Sequence, residues 1–392
     1  MKAPKLLFSA NFLIFVTFIS PIVYIIWRFL TFSRSFESFF QSWNVFDLFT
    51  NTISLLVVVV ATSVSLGLIV SVLLTRIELK GSKIWFTLCA LPLVIPSYIG
   101  ALTYVSAFSP KGLFVQLFRG QGLTEIPGMD GFVGSWIVLS LFTYPYVQLI
   151  CSSALKNLDV TVEEAARSLG KSMLQVYTSV VFPRLKKPII FSGLLVGLYV
   201  ISDFGAVSLM KYSTVTKAIY SYYIFKIDGD PVIFYSGLLM ILALALSVLQ
   251  RSTRLARSAA VSGTPKSARR QQVSFRNRCL IYFFLASLVS LSLVLPISVL
   301  SYWLIRGLNA GNNVRAAFGG VLGSFTVSIA TSLTAIVVAT PVVIMISQYQ
   351  SRLGRFIERV MLALYGLPHI AVGVSILFIS IKDVSIPTRG GI

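Results

Sequence analysis

Few residues in this sequence have the types and spacing that chemistry requires. Gly170-Lys171-Ser172 has the ending of a phosphate-binding loop, but Ala165 occupies the position of its first glycine and no predicted strand precedes it. His369 is the only histidine, and no carboxylate lies close to it in the chain. The three cysteines are isolated, so they offer neither metal-ligand spacing nor a disulfide framework. The sequence therefore predicts no catalytic site, no metal site and no bound cofactor.

One carboxylate interrupts an apolar run. Asp203 lies about two-thirds along a helix predicted over 188–209, and an ionisable residue inside a membrane favours a role in a substrate pathway. The alternative is that this helix ends early and that Asp203 lies at the outer interface. Pro92 and Pro96 are predicted to kink the third apolar helix beside the same pathway.

The longest polar segment with a regular pattern covers residues 163–183 and stands between two apolar runs. Glu163 and Glu164 lie in the first turn of a predicted helix, where the helix dipole favours negative charge. The two small alanines that follow would let this helix approach another surface closely. Gly170 is the predicted stop signal of the helix.

This segment, EEAARSLGKSMLQVYTSVVFP, resembles the E-A-A-x3-G-x9-I-x-L-P loop of importer-type ABC permeases, with Val180 in place of Ile and Phe182 in place of Leu. In that family the loop is a short cytoplasmic helix that docks into a groove on the ATPase subunit. The resemblance assigns ATPase coupling to Glu163, Glu164, Ala165, Ala166, Gly170 and Pro183. Such a loop predicts that ATP is bound and hydrolysed by a separate polypeptide and that this chain is not an enzyme.

The composition indicates a membrane protein. Of the 392 residues 56% are hydrophobic and only 12% are charged, so the bilayer is the expected solvent. The net charge of +20 could indicate a nucleic-acid partner, but the basic residues stand in short loops between apolar runs rather than on one basic face. No nucleic-acid partner is therefore expected.

Apolar runs of about 20 residues predict transmembrane helices. The nine predicted spans are 8–30, 52–74, 84–108, 132–154, 188–209, 231–250, 279–305, 321–347 and 357–381. With the N-terminus in the cytoplasm, 22 of the 33 Lys and Arg residues fall on the cytoplasmic side. This bias predicts a cytoplasmic N-terminus, an uncleaved first span and a cytoplasmic segment 163–183.

The chain also repeats itself. Pro21 and Pro296, Trp27 and Trp303, and Pro92 and Pro368 are each separated by 275 or 276 residues. The repeat predicts two homologous halves in parallel orientation, and it places a second coupling loop beyond residue 392.

These patterns predict a domain organisation in three parts. Residues 1–250 form a first permease domain with six spans and a coupling loop over 156–187, and residues 279–392 form an incomplete second domain with three spans. Between them, 251–278 is a Ser/Arg-rich cytoplasmic linker, for which binding of anionic lipid is an open alternative.

A second resemblance narrows the family. SDFGAVSLMKYSTVTKAIY at 202–220 resembles the corresponding stretch of the fused, two-domain ferric-iron permeases. The resemblance implies an all-α polytopic membrane protein with the MetI-like ABC permease bundle, located in the bacterial inner membrane. It also implies a dimer of ATPase subunits and a periplasmic substrate-binding protein as partners, with a second permease chain left open. Thiamine, phosphonate, polyamine and sulfate remain alternative substrates.

An ion-coupled secondary transporter is the alternative of a different class, because parallel repeats also occur in such proteins. It would be expected to carry ionisable residues inside the membrane in both halves. The second half has no acidic residue inside a predicted span before Asp383, apart from Glu358 at the very start of the ninth. This distribution favours the importer permease.

Overall fold

A computed structural model describes residues 4–31, 44–110, 112–118, 128–158, 160–224, 229–253, 270–311, 315–349, 356–357 and 368–382. These residues are mostly helical. In chain order the helices are α1 Lys5–Leu30, α2 Val45–Arg76, α3 Ser82–Ala90, α4 Ser97–Phe108, α5 Leu113–Phe118, α6 Gly131–Lys156, α7 Val160–Ser168, α8 Met173–Val176, α9 Phe182–Ser202, α10 Gly205–Leu209, α11 Val215–Ile224, α12 Gly229–Thr253, α13 Phe275–Val289, α14 Leu295–Asn309, α15 Arg315–Ser347 and α16 His369–Lys382.

Seven helical stretches among the described residues are long and apolar enough to cross a membrane, and an eighth is counted if the broken pair α3 and α4 forms one span. Six of the nine predicted spans lie within a few residues of these stretches, which confirms an all-α polytopic membrane protein. The ninth predicted span, 357–381, falls partly outside the described residues.

The third predicted span, 84–108, is not one continuous helix. It consists of α3, a 3-10 turn over Leu91–Val94, extended backbone at Ile95, and α4. Pro92 and Pro96 lie in this interruption because proline has no N–H to donate to the preceding turn. The carbonyl of Cys89 instead accepts a hydrogen bond from the Tyr144 hydroxyl of α6, at 2.8 Å. The predicted kink is therefore a complete break.

The bounds of the fifth predicted span, 188–209, lie too far toward the C-terminus. The apolar helical stretch covers Tyr177–Ser202 and continues from α8 through a π-helical segment over Tyr177–Val181. Asp203 has extended backbone and ends the helix, while the basic residues before Pro188 are helical. Of the two alternatives for Asp203, the structure agrees with the one in which the helix ends early.

The chain forms two compact units. One comprises Ser35–Ala218 and Ala245–Leu300, and its core is formed where α6 packs against α2 and α9. A Cβ at Gly67 would lie 2.8 Å from the carbonyl oxygen of Tyr144, so only glycine allows α2 and α6 to approach this closely. The Ser63 and Thr143 hydroxyls hydrogen-bond across the same interface at 2.8 Å.

The other unit comprises Met1–Arg34, Ile219–Leu244 and Ser301–Ile392. Within it α1 contacts α15 and α16, and the side-chain amide of Asn11 donates to the carbonyl of Pro341 at 3.1 Å. Most of α15 is exposed although the helix is apolar.

The predicted linker, 251–278, is shorter than expected at both ends. Helix α12 continues to Thr253 and α13 begins at Phe275, so Arg276 and Arg278 belong to the first turn of a helix. Residues 254–269 lie outside the described part of the chain. Among the described residues, Gln271 and Ile77 form an isolated parallel β-bridge.

Candidate functional site

The predicted stop of the coupling helix is confirmed. Helix α7 ends in a Schellman motif, in which the Gly170 N–H donates to the Arg167 carbonyl at 2.9 Å and the Lys171 N–H donates to the Ala166 carbonyl at 3.2 Å. Gly170 has a φ of +80°, a left-handed conformation that side chains with a Cβ disfavour. Nothing lies within 4 Å of a Cβ built at this glycine, so the backbone geometry alone requires glycine here.

A second helix begins directly after this stop. The Gln175 side chain accepts a hydrogen bond from the Ser172 N–H at 2.8 Å, and the Ser172 hydroxyl accepts one from the Gln175 N–H at 3.4 Å. This reciprocal pair is a capping box that starts α8. Pro183 is the second residue of α9, which directly follows the π-helical segment over Tyr177–Val181. The polar segment is thus a helix–turn–helix that leads into the membrane span.

The two alanines of the segment have different surroundings. Ala166 is buried against Leu155, Val176 and Leu185, which belong to the ends of the helices around it. Ala165 is exposed, as is the neighbouring Glu164. The side chain of Ala166 therefore holds α7 on its own protein, and only Ala165 is available to a partner.

Glu163 is also directed toward its own protein. Its carboxylate accepts a hydrogen bond from Arg76 at 2.7 Å, and Arg76 also donates to the carbonyl of Leu155 at 3.2 Å. Arg76, in the last turn of α2, is 4% exposed, and the Glu163 side chain is 15% exposed. Burial raises the pKa of the Glu163 carboxyl, while Arg76 and Arg184 act in the opposite direction.

Two residues of this site were not identified from the sequence. In the sequence Arg76 contributes only to the count of basic residues on the cytoplasmic side, although a single arginine that ends a long apolar run is a recognisable signal. Leu169 is 82% exposed at the tip of the segment, and a large apolar side chain that is so exposed indicates a contact surface. We define the coupling face as the exposed residues Glu164, Ala165, Ser168 and Leu169.

Asp203 lies in a different place from the coupling face and has a structural role. Its carboxylate accepts hydrogen bonds from the Ser97 hydroxyl and from the Ala206 N–H, the latter at 2.9 Å. The Thr216 hydroxyl donates to the Asp203 carbonyl at 3.0 Å. These bonds connect the beginning of α4, just after Pro96, to the turn that follows α9. Their geometry makes Asp203 a helix cap that also connects these segments, and its role in a substrate pathway stays a prediction.

This role predicts the effect of two substitutions. Asp203→Ala is expected to lower stability by about 1–3 kcal/mol, because it removes a cap and leaves buried donors without an acceptor. Asp203→Asn keeps an acceptor oxygen and is expected to retain at least half of that stability. Thermal unfolding of the purified protein in detergent measures both. Equal losses for Ala and Asn would contradict the capping role.

Among the described residues, no three His, Cys, Asp or Glu side chains are grouped so that they could hold a metal ion.

Comparison with known proteins places the chain among transport proteins. Residues 63–258, half of the chain, match the family described as binding-protein-dependent transport system inner membrane component. The chain is 29% identical over 369 residues to the Fe(3+)-transport system permease protein FbpB 2 of Haemophilus influenzae, covering 92% of this chain and 69% of that protein.

More distant relatives carry other names. The sulfate transport system permease protein CysT of Salmonella typhimurium is 31% identical over 143 residues, which cover 36% of this chain and 50% of the relative. A solved bacterial ABC transporter involved in the import of alginate has a TM-score of 0.51 at 16% identity, covering 63% of this chain and 94% of the matched chain. That similarity supports the fold alone.

Proposed function

Because the chain belongs to the family of binding-protein-dependent transport system inner membrane components, we propose that it is the permease subunit of an ABC importer whose substrate is ferric iron. The iron permease of Haemophilus influenzae is similar along 92% of the chain, whereas the sulfate permease is similar along 36%. This difference in coverage is the observation that supports iron over sulfate. Thiamine, phosphonate, polyamine and sulfate are the alternative substrates.

The proposed mechanism uses a separate ATPase dimer and a substrate-binding protein on the opposite side of the inner membrane. ATP is bound by the ATPase, and its closure moves the segment that contains the coupling face. The half-buried Glu163 and the buried Ala166 would transmit this movement, because they connect α7 to the ends of α2, α6 and α9. In this proposal the N-terminus and the coupling face lie in the cytoplasm.

Uptake measurements with labelled substrates test the function. We expect that deletion of the gene reduces uptake of radioactive ferric iron, and that expression of the full-length gene restores it. Uptake of labelled sulfate serves as the control and is expected to be unchanged. Loss of sulfate uptake with normal iron uptake would overturn the substrate assignment but not the permease assignment.

The exposed Leu169 is expected to contribute to binding of the ATPase subunit. Leu169→Ser is expected to weaken copurification of the ATPase subunit by roughly tenfold, because burial of one leucine contributes about 1.5–3 kcal/mol. Leu308→Ser, at a half-exposed leucine on the predicted opposite side, is the matched control. Normal recovery of the ATPase with the Leu169 variant would show that this residue is not part of the docking surface.

A further inference from the structure

A polar cavity of about 1280 Å³ lies beside α7. Its walls come from three separate segments of the same compact unit: residues 76–80, residues 163–177, and residues 270–278. Five cationic side chains line it: Arg76, Lys80, Arg167, Arg270 and Arg278. The acidic residues of the lining are Glu78, Glu163 and Glu164. The four residues of the coupling face do not explain why a cavity of this size and charge is present.

The charges around the cavity do not balance. Glu163 is paired with Arg76, which leaves four cations beside the two acids Glu78 and Glu164. Arg270 donates to the neutral hydroxyl of Ser82 at 2.8 Å, and it forms no ion pair within the part of the chain that the structure describes. Among the described residues, the buried Nε atoms of Arg76 and Arg278 have no hydrogen-bond partner. The cavity therefore has a surplus of positive charge and of unused donors.

Hydrogen bonds to backbone carbonyls join the two segments that carry most of these cations. The Gln271 N–H donates to the carbonyl of Arg76 at 2.8 Å, and the Glu78 N–H donates to the carbonyl of Gln271 at 2.9 Å. The Tyr282 hydroxyl donates to the carbonyl of Lys80 at 3.0 Å. The end of the predicted linker is thereby attached to the turn after α2, and cations from both segments face the same space.

We propose that this cavity binds a phosphate-bearing anion, held chiefly by Lys80, Arg270 and Arg278. Arginine and lysine bind phosphate oxygens through short charge-assisted hydrogen bonds, and arginine can do so with two parallel donors. The cavity lies at the ends of membrane-spanning helices, the level at which basic pockets receive lipid headgroups. The phosphate can come from an anionic phospholipid or from a soluble phosphate compound. The ligand would join the linker end to the segment that contains α7.

Two probes distinguish the sources. The full chain is reconstituted in phosphatidylcholine nanodiscs, and either phosphatidylglycerol is included or inorganic phosphate is added at constant ionic strength. Binding is followed by hydrogen exchange of residues 270–278, which is expected to slow at least about threefold when the cavity is filled. A response to phosphatidylglycerol alone identifies a lipid headgroup, and a response to inorganic phosphate identifies a soluble ligand. A response to neither probe overturns the proposal.

A matched pair of variants tests the location. Lys80→Gln with Arg278→Gln removes two cations of the cavity, whereas Lys83→Gln with Arg276→Gln removes two exposed cations that lie nearby in the chain but do not line the cavity. We expect the first variant to raise the concentration for half-maximal protection by about tenfold and the second by less than about twofold. Equal effects would indicate diffuse surface charge and contradict the proposal. If the first variant fails to fold, Arg278→Gln alone provides the same comparison.

Discussion

Replacement of Gly170 by valine is expected to reduce ATP-driven uptake by roughly tenfold or more, while the protein still inserts into the membrane. The φ of +80° is disfavoured for a residue with a Cβ by about 1–2 kcal/mol, and more for a β-branched one. Because nothing lies within 4 Å of the added Cβ, the strain stays in the turn between α7 and α8. The Schellman motif should then open, and the coupling face should lose its fixed position.

Two variants control for this result. Gly170→Asn is expected to keep most of the uptake, since asparagine tolerates the left-handed conformation far better than valine. Gly81→Val places the same strain at a glycine with a φ of +72° and open surroundings, outside α7, and should keep at least half of the uptake. Uptake of labelled substrate, normalised to the amount of protein in the membrane, measures all three. Normal uptake by Gly170→Val would overturn the coupling assignment.

Replacement of Arg76 by methionine is expected to detach α7 from the protein. Loss of one partner from a buried ion pair costs about 3–5 kcal/mol, and the partial exposure of Glu163 favours the lower end of this range. The predicted effect is local, because α7 contributes few contacts to the core of α2, α6 and α9. Hydrogen exchange of residues 160–170 should therefore accelerate by at least about tenfold, while exchange in α6 stays unchanged.

Substitution of Glu163, the partner of Arg76, shows whether the unpaired charge causes the detachment of α7. Burial raises the pKa of the Glu163 carboxyl, so an unpaired carboxylate at this position is costly. Glu163→Gln removes that charge, and combined with Arg76→Met it is expected to restore part of the protection of α7. Lys211→Met breaks the exposed ion pair with Asp130 and should have little effect. No rescue in the double variant would mean that packing of Arg76, rather than its charge, holds α7.

Local patterns determined much of this protein. Six predicted spans agree with helices of the structure because a membrane requires about 20 consecutive apolar residues, and such runs are visible in a single sequence. The end of α7 at Gly170 was also predictable, since a helix stop depends on the conformation of one residue and its immediate neighbours. The break at Pro92 and Pro96 was anticipated as a kink for the same local reason.

Only the tertiary structure decided which side chains face the protein and which face water. Ala165 and Ala166 are identical in sequence terms, yet one is exposed and the other packs against Leu155. Glu163 and its partner Arg76 are separated by 87 positions in the chain, so no pattern of neighbouring residues could predict that they form an ion pair. Hydropathy averages over a window and left open whether Asp203 lies inside the helix or after its end, whereas in the structure the helix ends at Ser202 and the Asp203 carboxylate accepts hydrogen bonds from Ser97 and Ala206.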